Sequence, residues 1–340
     1  MATPVVPALD QVESADYLQL VADIGGTNAR FALHDAATGR LGEVRTLAAT
    51  DYPDISTAIE AYLAAVGSPR VAEACFAVAC PAQPDLIALT NSAWRFSRGD
   101  TARRFKLARL LTINDFEALA LGVPRIGPDG LHCLRPGIAD DGAPKAVIGP
   151  GTGLGVSGLI PVSGAGADVR WFALSGEGGH VGFAPQGELE IDLLRFLKRR
   201  HNRASAERVL SGQGLENLYE FLAERAGLSG QRLTPADITT RGLVEGDALA
   251  RAALDLFLSV LGGMAGDLAL TLGARGGVYI GGGIVPRILP ILPQSTFIAR
   301  FQDKGRLSAM LTPIPIFVIR DSSAALLGAA TALRGTGERP

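Results

Sequence analysis

The chain has 340 residues, 47% of them hydrophobic and 19% charged, with a net charge of −2. That composition excludes disorder for most of the chain, and the near-neutral balance excludes electrostatic attraction to nucleic acid or an anionic membrane. Glycine is the abnormal number: 42 residues, against roughly 24 at an average usage of ~7%, with no G-X-Y period or low-complexity tract, so collagen and flexible linkers are excluded as well.

The length suggests about two domains. Three cysteines, Cys75, Cys80 and Cys133, form no CxxC pair. A disulfide framework and a zinc ribbon are disfavoured, and a reducing compartment fits. The N-terminal residues lack a basic stretch followed by an apolar one, so no signal peptide is expected. The longest uncharged run, 146–167, has 22 residues but holds seven glycines and two prolines. That suits a buried strand–turn–strand better than a membrane span. A soluble, cytoplasmic protein is expected.

Residues 1–16 read as a loose tail. Apolar runs at 18–22 and 30–33 flank Gly25-Gly26-Thr27-Asn28 and predict a β-hairpin. A helix is expected over 54–66, then strands at 74–79 and 86–90 around a loop with Pro81 and Pro84. A helix at 101–110 and a strand at 111–113 follow, and Asp115 opens the helical run FEALALGV. Residues 146–160, AVIGPGTGLGVSGLI, repeat the opening pattern of strand, Gly/Thr turn and strand. Thr27 and Thr152 hold matching places 125 residues apart, which suggests an internal duplication. Helices are expected at 189–200, 215–226 and 247–272, with strands at 278–280 and 314–319 and a last helix at 322–333. Strands alternating with helices argue for an α/β protein.

Several motifs carry chemistry. In Asp23-Ile24-Gly25-Gly26-Thr27-Asn28, bare glycines let backbone approach a ligand, and their N–H groups can cradle phosphate. Asp23 adds a carboxylate suited to a metal-bound water. The alternative is an ordinary glycine hairpin. Gly151-Thr152-Gly153 could serve phosphate in the same way, or be a buried hairpin tip; no GK[ST] follows it, so it is not a P-loop. Asn114-Asp115 ends a strand, where α/β sheets bind ligands. Asp115 could take a proton from an attacking hydroxyl or merely cap the next helix. Glu177 and His180, in GEGGHVGF, could bond adjacent sugar hydroxyls, or His180 could be structural; zinc would need more ligands than are present. Glu207 could be a solvent-facing charge. Gly281, Gly282 and Gly283 end a strand and could lie against a purine.

The segments DIGGTNARFAL, LTNSAW, INDFEALA, GTGLGV, GEGGHVGFAP, SAERVLSGQGLENLY and GGVYIGGGIVPR occur in this order. Together they resemble the bacterial ATP-dependent glucokinase family of the actin–hexokinase superfamily, over about residues 18–335. The related repressor/open-reading-frame/kinase family follows the corresponding Glu-Gly-His region with a cysteine-rich zinc motif. Residues 181–190 contain no cysteine, so the resemblance is to the zinc-free type.

The resemblance implies an ATP:D-glucose 6-phosphotransferase with a ribonuclease H-like α/β fold. It implies a small domain (17–124 plus 322–338) and a larger one (125–321) around a cleft. Asp115 matches the general base. Asn114, Asp115, Glu177, His180 and Glu207 match the glucose ligands. Asp23, Gly25, Gly26, Thr27 and Asn28 match one phosphate hairpin, Gly151, Thr152 and Gly153 the other, and Gly281 to Gly283 the nucleotide-side turn. ATP with Mg²⁺ is implied as the donor, with Asp23 on the metal through water, and a homodimer as the assembly. Gly182 departs from the family, which often has Asp there; a change beside the sugar site is expected, not loss of binding. Kinases of mannose, fructose or an N-acetylhexosamine are the alternatives. A non-catalytic sugar-responsive regulator is less favoured, because about 17 residues before the first hairpin leave no room for a helix-turn-helix. An actin-like filament or chaperone ATPase would leave the sugar-ligand set without purpose. On this reading the glycine surplus serves mainly ligand approach, and only 262–266 serves helix packing.

Overall fold

The computed structural model describes residues 18–80, 84–89, 94–162, 169–228 and 232–334. The predicted N-terminal tail and most of the LTNSAW motif lie outside them. The contacts divide the chain into two compact units, 1–113 and 114–340.

The first unit runs β1 (Leu18–Ile24), β2 (Asn28–Asp35), β3 (Leu41–Ala48), α1 (Ile55–Ala65), β4 (Val71–Val78), β5 (Leu86–Ala88), β6 (Arg95–Ser97), α2 (Arg98–Arg104) and β7 (Arg109–Asn114). Its main sheet has the order β3-β2-β1-β4-β7. The β1–β2 and β2–β3 pairs are antiparallel, and β1–β4 is parallel. Phe31 stacks on Tyr62 with ring centroids 5.3 Å apart, which joins the sheet to α1. Asp54 starts α1 by accepting the N–H of Thr57 at 2.8 Å. The helix expected at 101–110 is shorter and earlier. Ser97 caps it by accepting the N–H of Asp100, and Lys106, with φ of 52°, stands just beyond its end.

The second unit runs α3 (Asp115–Gly122), β8 (Leu131–Arg135), β9 (Lys145–Pro150), β10 (Leu154–Val162), β11 (Arg170–Ala173), α4 (Gly187–His201), α5 (Gly212–Arg225), α6 (Pro235–Thr240), α7 (Ala248–Leu272), β12 (Val278–Ile280), α8 (Phe297–Gln302), α9 (Ser308–Leu311), β13 (Ile316–Ile319) and α10 (Ala324–Arg334). Its sheet has the order β11-β10-β9-β12-β13-β8. Again an antiparallel hairpin, β9–β10, carries a third antiparallel strand on one side and a parallel neighbour on the other. Both units are therefore built on one strand plan, to which the second adds β8 at the edge. The repeat anticipated from Thr27 and Thr152 is a repeat of topology.

Helix α7 is long and apolar enough to cross a membrane, but most of it is buried in the second unit's core. Leu254, Phe257, Leu258 and Leu261 on it are fully buried. Gly262 and Gly266 lie against the backbone carbonyls of Phe297 and Phe301 on α8, leaving no room for a Cβ. Helices α3 and α10 meet in the same way: a Cβ on Gly122 would strike the Ala324 carbonyl, and one on Gly328 the Ala118 carbonyl. Close packing thus claims many more glycines than 262–266, and that part of the sequence reading is corrected.

Candidate active site

In the first unit, the tip between β1 and β2 is closed by a bond from the Gly25 N–H to the Asn28 carbonyl at 2.9 Å. The Thr27 carbonyl accepts the N–H of Ala49 at 2.8 Å, which anchors the tip from outside. Thr27 and Asn28 are exposed, and Asn28 donates to the Thr27 hydroxyl at 3.2 Å. Asp23 sits opposite Arg30 in the register. Burial raises the pKa of its carboxyl above the ordinary value, and the Arg30 charge opposes that rise.

In the second unit the tip at 151–153 repeats this plan. The Gly151 N–H donates to the Gly153 carbonyl at 2.8 Å, and the Gly151 carbonyl accepts the N–H of Gly212, the first residue of α5, at 2.8 Å. Thr152 is exposed. Gly282, with φ of 79°, turns against Pro150 so closely that no side chain would fit. The Ile284 N–H donates to the Pro150 carbonyl at 3.3 Å, which ties the turn at 281–283 to the same tip.

The other predicted residues of this unit collect around the start of β10. Glu207 Oε2 accepts the N–H of Leu154 at 3.0 Å. Gly153 is bare where a Cβ would fall 2.6 Å from that oxygen. Glu177 and His180 are exposed, on a short 3-10 turn closed by the His180 N–H donating to the Glu177 carbonyl at 3.0 Å. That turn lies on β10 through Gly178, against Val156, and Gly179, against the Leu154 carbonyl. It is stitched to the Glu207 segment as well. Ala206 N–H donates to the Val181 carbonyl at 2.9 Å, Phe183 N–H to the Ala204 carbonyl at 3.1 Å, and Arg203 to the His180 carbonyl at 2.8 Å.

Asn114 caps α3, its Oδ1 accepting the N–H groups of Phe116 at 2.9 Å and Glu117 at 3.3 Å. Asp115 Oδ1 also accepts the Phe116 N–H at 2.9 Å. The cap is thus Asn114, not Asp115 as the alternative reading had it, and Asp115 is the first residue of the helix. Phe116 in turn lies against Gly149 and Gly155. Sequence reasoning missed Phe116, Leu154 and Gly212 as parts of the site. Only the Gly at position 155 within GTGLGV hinted that something bulky lies over the strand.

The glycines divide by what surrounds them. Gly149, Gly153, Gly155, Gly178, Gly179 and Gly282 are bare because protein atoms fill the space. Around Gly176, Gly182 and Gly283 a Cβ would meet nothing within 4 Å. Gly25 and Gly151 are nearly as open, an added Cβ meeting only backbone at 3.5 Å and 4.0 Å, so these five leave backbone accessible to a ligand.

The family model described as Glucokinase matches residues 20–336. The chain belongs to the glucokinase family. A glucokinase of Chromohalobacter salexigens is 47% identical over 92% of this chain and 97% of its own length. A glucokinase of Chromobacterium violaceum is 48% identical, over 93% of this chain and 89% of its own length. The crystal structure of a glucokinase from an Antarctic psychrotroph superposes with a TM-score of 0.83 at 36% identity, covering 94% of this chain and all of that one. The fold is accordingly the actin/hexokinase-like fold of the glucokinases, and the activity is theirs, the phosphorylation of glucose by ATP.

Proposed function

We propose that this chain transfers the ATP γ-phosphoryl group to the glucose 6-hydroxyl with Asp115 as the general base. Asn114, Glu177, His180 and Glu207 hold the sugar. The observation that supports this reading is the convergence on three residues of β10, Leu154 to Val156. The Glu177–His180 turn, the Glu207 carboxylate and the residue after Asp115 all touch that stretch, which leads directly out of the Gly151–Gly153 tip. Sugar-side carboxylates and phosphate-side backbone are thereby fixed on one strand, which suits a reaction that depends on positioning.

On this reading, Gly25, Gly26, Thr27, Asn28, Gly151, Thr152 and Gly153 receive the phosphates, and Gly281 to Gly283 the nucleoside side. Among the described residues no group of three His, Cys, Asp or Glu side chains could hold a metal. On this reading Mg²⁺ arrives with the ATP phosphates and meets a single carboxylate, Asp23, through water. Burial raises the Asp23 pKa, with the Arg30 charge opposing, and a bound cation would favour the ionised carboxylate in the same sense as Arg30. Bound Mg²⁺ would supply positive charge that offsets the charge of the phosphates. The Asp115 carboxylate accepts the 6-hydroxyl proton as the oxygen attacks.

The expected grouping of 17–124 with 322–338 differs from the contact division, which falls between residues 113 and 114; the close packing of α3 on α10 supports only that these two helices belong together. We place the enzyme in the cytoplasm as a soluble homodimer, on family resemblance. Glucose-dependent ADP release from Mg·ATP, scored over a panel of hexoses, tests the function. Turnover confined to mannose, fructose or an N-acetylhexosamine would replace glucose as the substrate, and no release from folded protein would reject the reading.

A further inference from the structure

Phe116 follows the proposed base directly, and its ring occupies a gap that two glycines leave for it. A Cβ on Gly155 would fall inside the ring, and one on Gly149 would lie 2.7 Å from its Cζ. Gly149 and Gly155 are not independent positions. They are register partners across β9 and β10, one pair behind Pro150 and Leu154, which close the 151–153 tip. The hairpin therefore presents a bare two-residue window at the root of the phosphate tip, and a phenyl ring fills it.

The ring is coupled to the carboxylate through one residue step. The backbone N–H of Phe116 is accepted by both Asn114 Oδ1 and Asp115 Oδ1, each at 2.9 Å. Wherever the ring is seated, that N–H follows, and the Asp115 carboxylate is bonded to it. A phenyl group has no proton to give and no lone pair to offer, so acid–base work is closed to it.

We propose that Phe116 is a positioning residue. Its ring, seated on Gly149 and Gly155, sets the separation between the Asp115 carboxylate and the Gly151–Gly153 tip. The proposal rests on the reading of Asp115 as base and of the tip as phosphate site. It accounts for glycine at 149 and 155, where no ligand needs to approach. In a reaction catalysed by positioning, a displacement of about 1 Å can cost on the order of 100-fold in rate.

The test compares Phe116→Ala, Phe116→Leu, Gly155→Ala and the double variant Gly155→Ala/Phe116→Ala with the parent enzyme, all in Mg·ATP and glucose. If the parent shows no glucose-dependent turnover, the functional reading fails, and this inference with it. With an active parent, Phe116→Ala should lower kcat by about 10- to 100-fold. Its glucose KM should stay within about twofold, and its kcat–pH profile should keep the same midpoint. Phe116→Leu should recover part of the loss. Gly155→Ala should lower kcat alone yet add almost nothing to Phe116→Ala, because the methyl then enters space the ring has left. Parental kcat in Phe116→Ala, or a Gly155→Ala loss of equal size with and without the ring, overturns the proposal. So does a fall in Tm with kcat unchanged. If Phe116→Ala does not fold, Phe116→Leu and Gly155→Ala decide: both must lower kcat, and parental kcat in either overturns it.

Discussion

Glu207 Oε2 accepts the backbone N–H of Leu154 at 3.0 Å, on the strand that leaves the 151–153 tip, and the same carboxylate is proposed to hold the sugar. Leu154 is buried, so that N–H depends on the carboxylate for its bond. Glu207→Gln keeps an acceptor for Leu154, whereas Glu207→Ala leaves the N–H unsatisfied. An unsatisfied buried donor costs about 1–3 kcal/mol. The Ala variant should therefore melt several degrees below the parent, and the Gln variant close to it. Glucose affinity should fall in both. A hydrogen bond to a charged group contributes about 1.5–3 kcal/mol, or roughly 10- to 150-fold in Kd. Calorimetric titration with glucose measures this, and unchanged affinity in both variants would remove Glu207 from the sugar site.

Asp115 should behave differently, because the role proposed for it is in the transition state. Asp115→Asn keeps a side-chain oxygen to accept the Phe116 N–H, so the start of α3 is preserved. What it loses is the capacity to take a proton. General-base catalysis contributes typically about 10²- to 10⁴-fold, and kcat should drop by that order with little change in glucose binding. Single-turnover product formation checks it. Turnover within about twofold of the parent would assign the base elsewhere.

The hairpins, the terminal helix and α7 were legible in the sequence because each is a continuous apolar pattern bounded by glycine or an acidic cap. Strands β3 and β11 were not. Both are edge strands, and β3 presents mostly exposed residues, so no period-2 alternation marks it. The site was legible only as segments. That Glu207 bonds Leu154, and that the ring of Phe116 lies against Gly149 and Gly155, are pairings between residues 33 to 53 positions apart. No local pattern encodes such pairings. The glycines misled for a related reason: crowding and openness select the same residue, and only the surrounding atoms distinguish Gly155 from Gly182.

Asp23 gives a pH prediction with a definite sign. Burial raises its folded pKa above the ordinary 3.8, against the pull of Arg30. The folded state then holds the proton more readily than the unfolded chain. The stability this group allows is complete below the unfolded pKa and is lost as pH rises through the folded one. At pH 7, Asp23→Asn should therefore raise Tm, since no desolvated ionisable group remains. The gap from the parent should close as both are taken to pH 3. Because the same carboxylate is proposed to meet the metal, the variant should be more stable and less active, with a raised Mg²⁺ requirement. A parallel pair of Tm–pH curves would show that Asp23 does not titrate differently on folding.

The contact between α3 and α10 ties stability to the base. A Cβ on Gly328 would drive into the carbonyl of Ala118, and Gly122 faces Gly328 across the same crossing. Backbone cannot yield as a flexible side chain does, so Gly328→Ala must separate the helices. Overpacking of this kind costs about 1–3 kcal/mol or more. Helix α3 begins at Asp115, so the displacement is transmitted to the proposed base through the helix itself. The expected result is a lower Tm together with a lower kcat, while glucose affinity, proposed to rest on Glu177 and Glu207, changes less. Gly42→Ala is the control: it lies on β3 with nothing within 4 Å of a new Cβ, and should leave both quantities unchanged. Equal behaviour of the two variants in a thermal melt would mean that α10 can retreat without cost. The glycine pair would then have no part in holding Asp115.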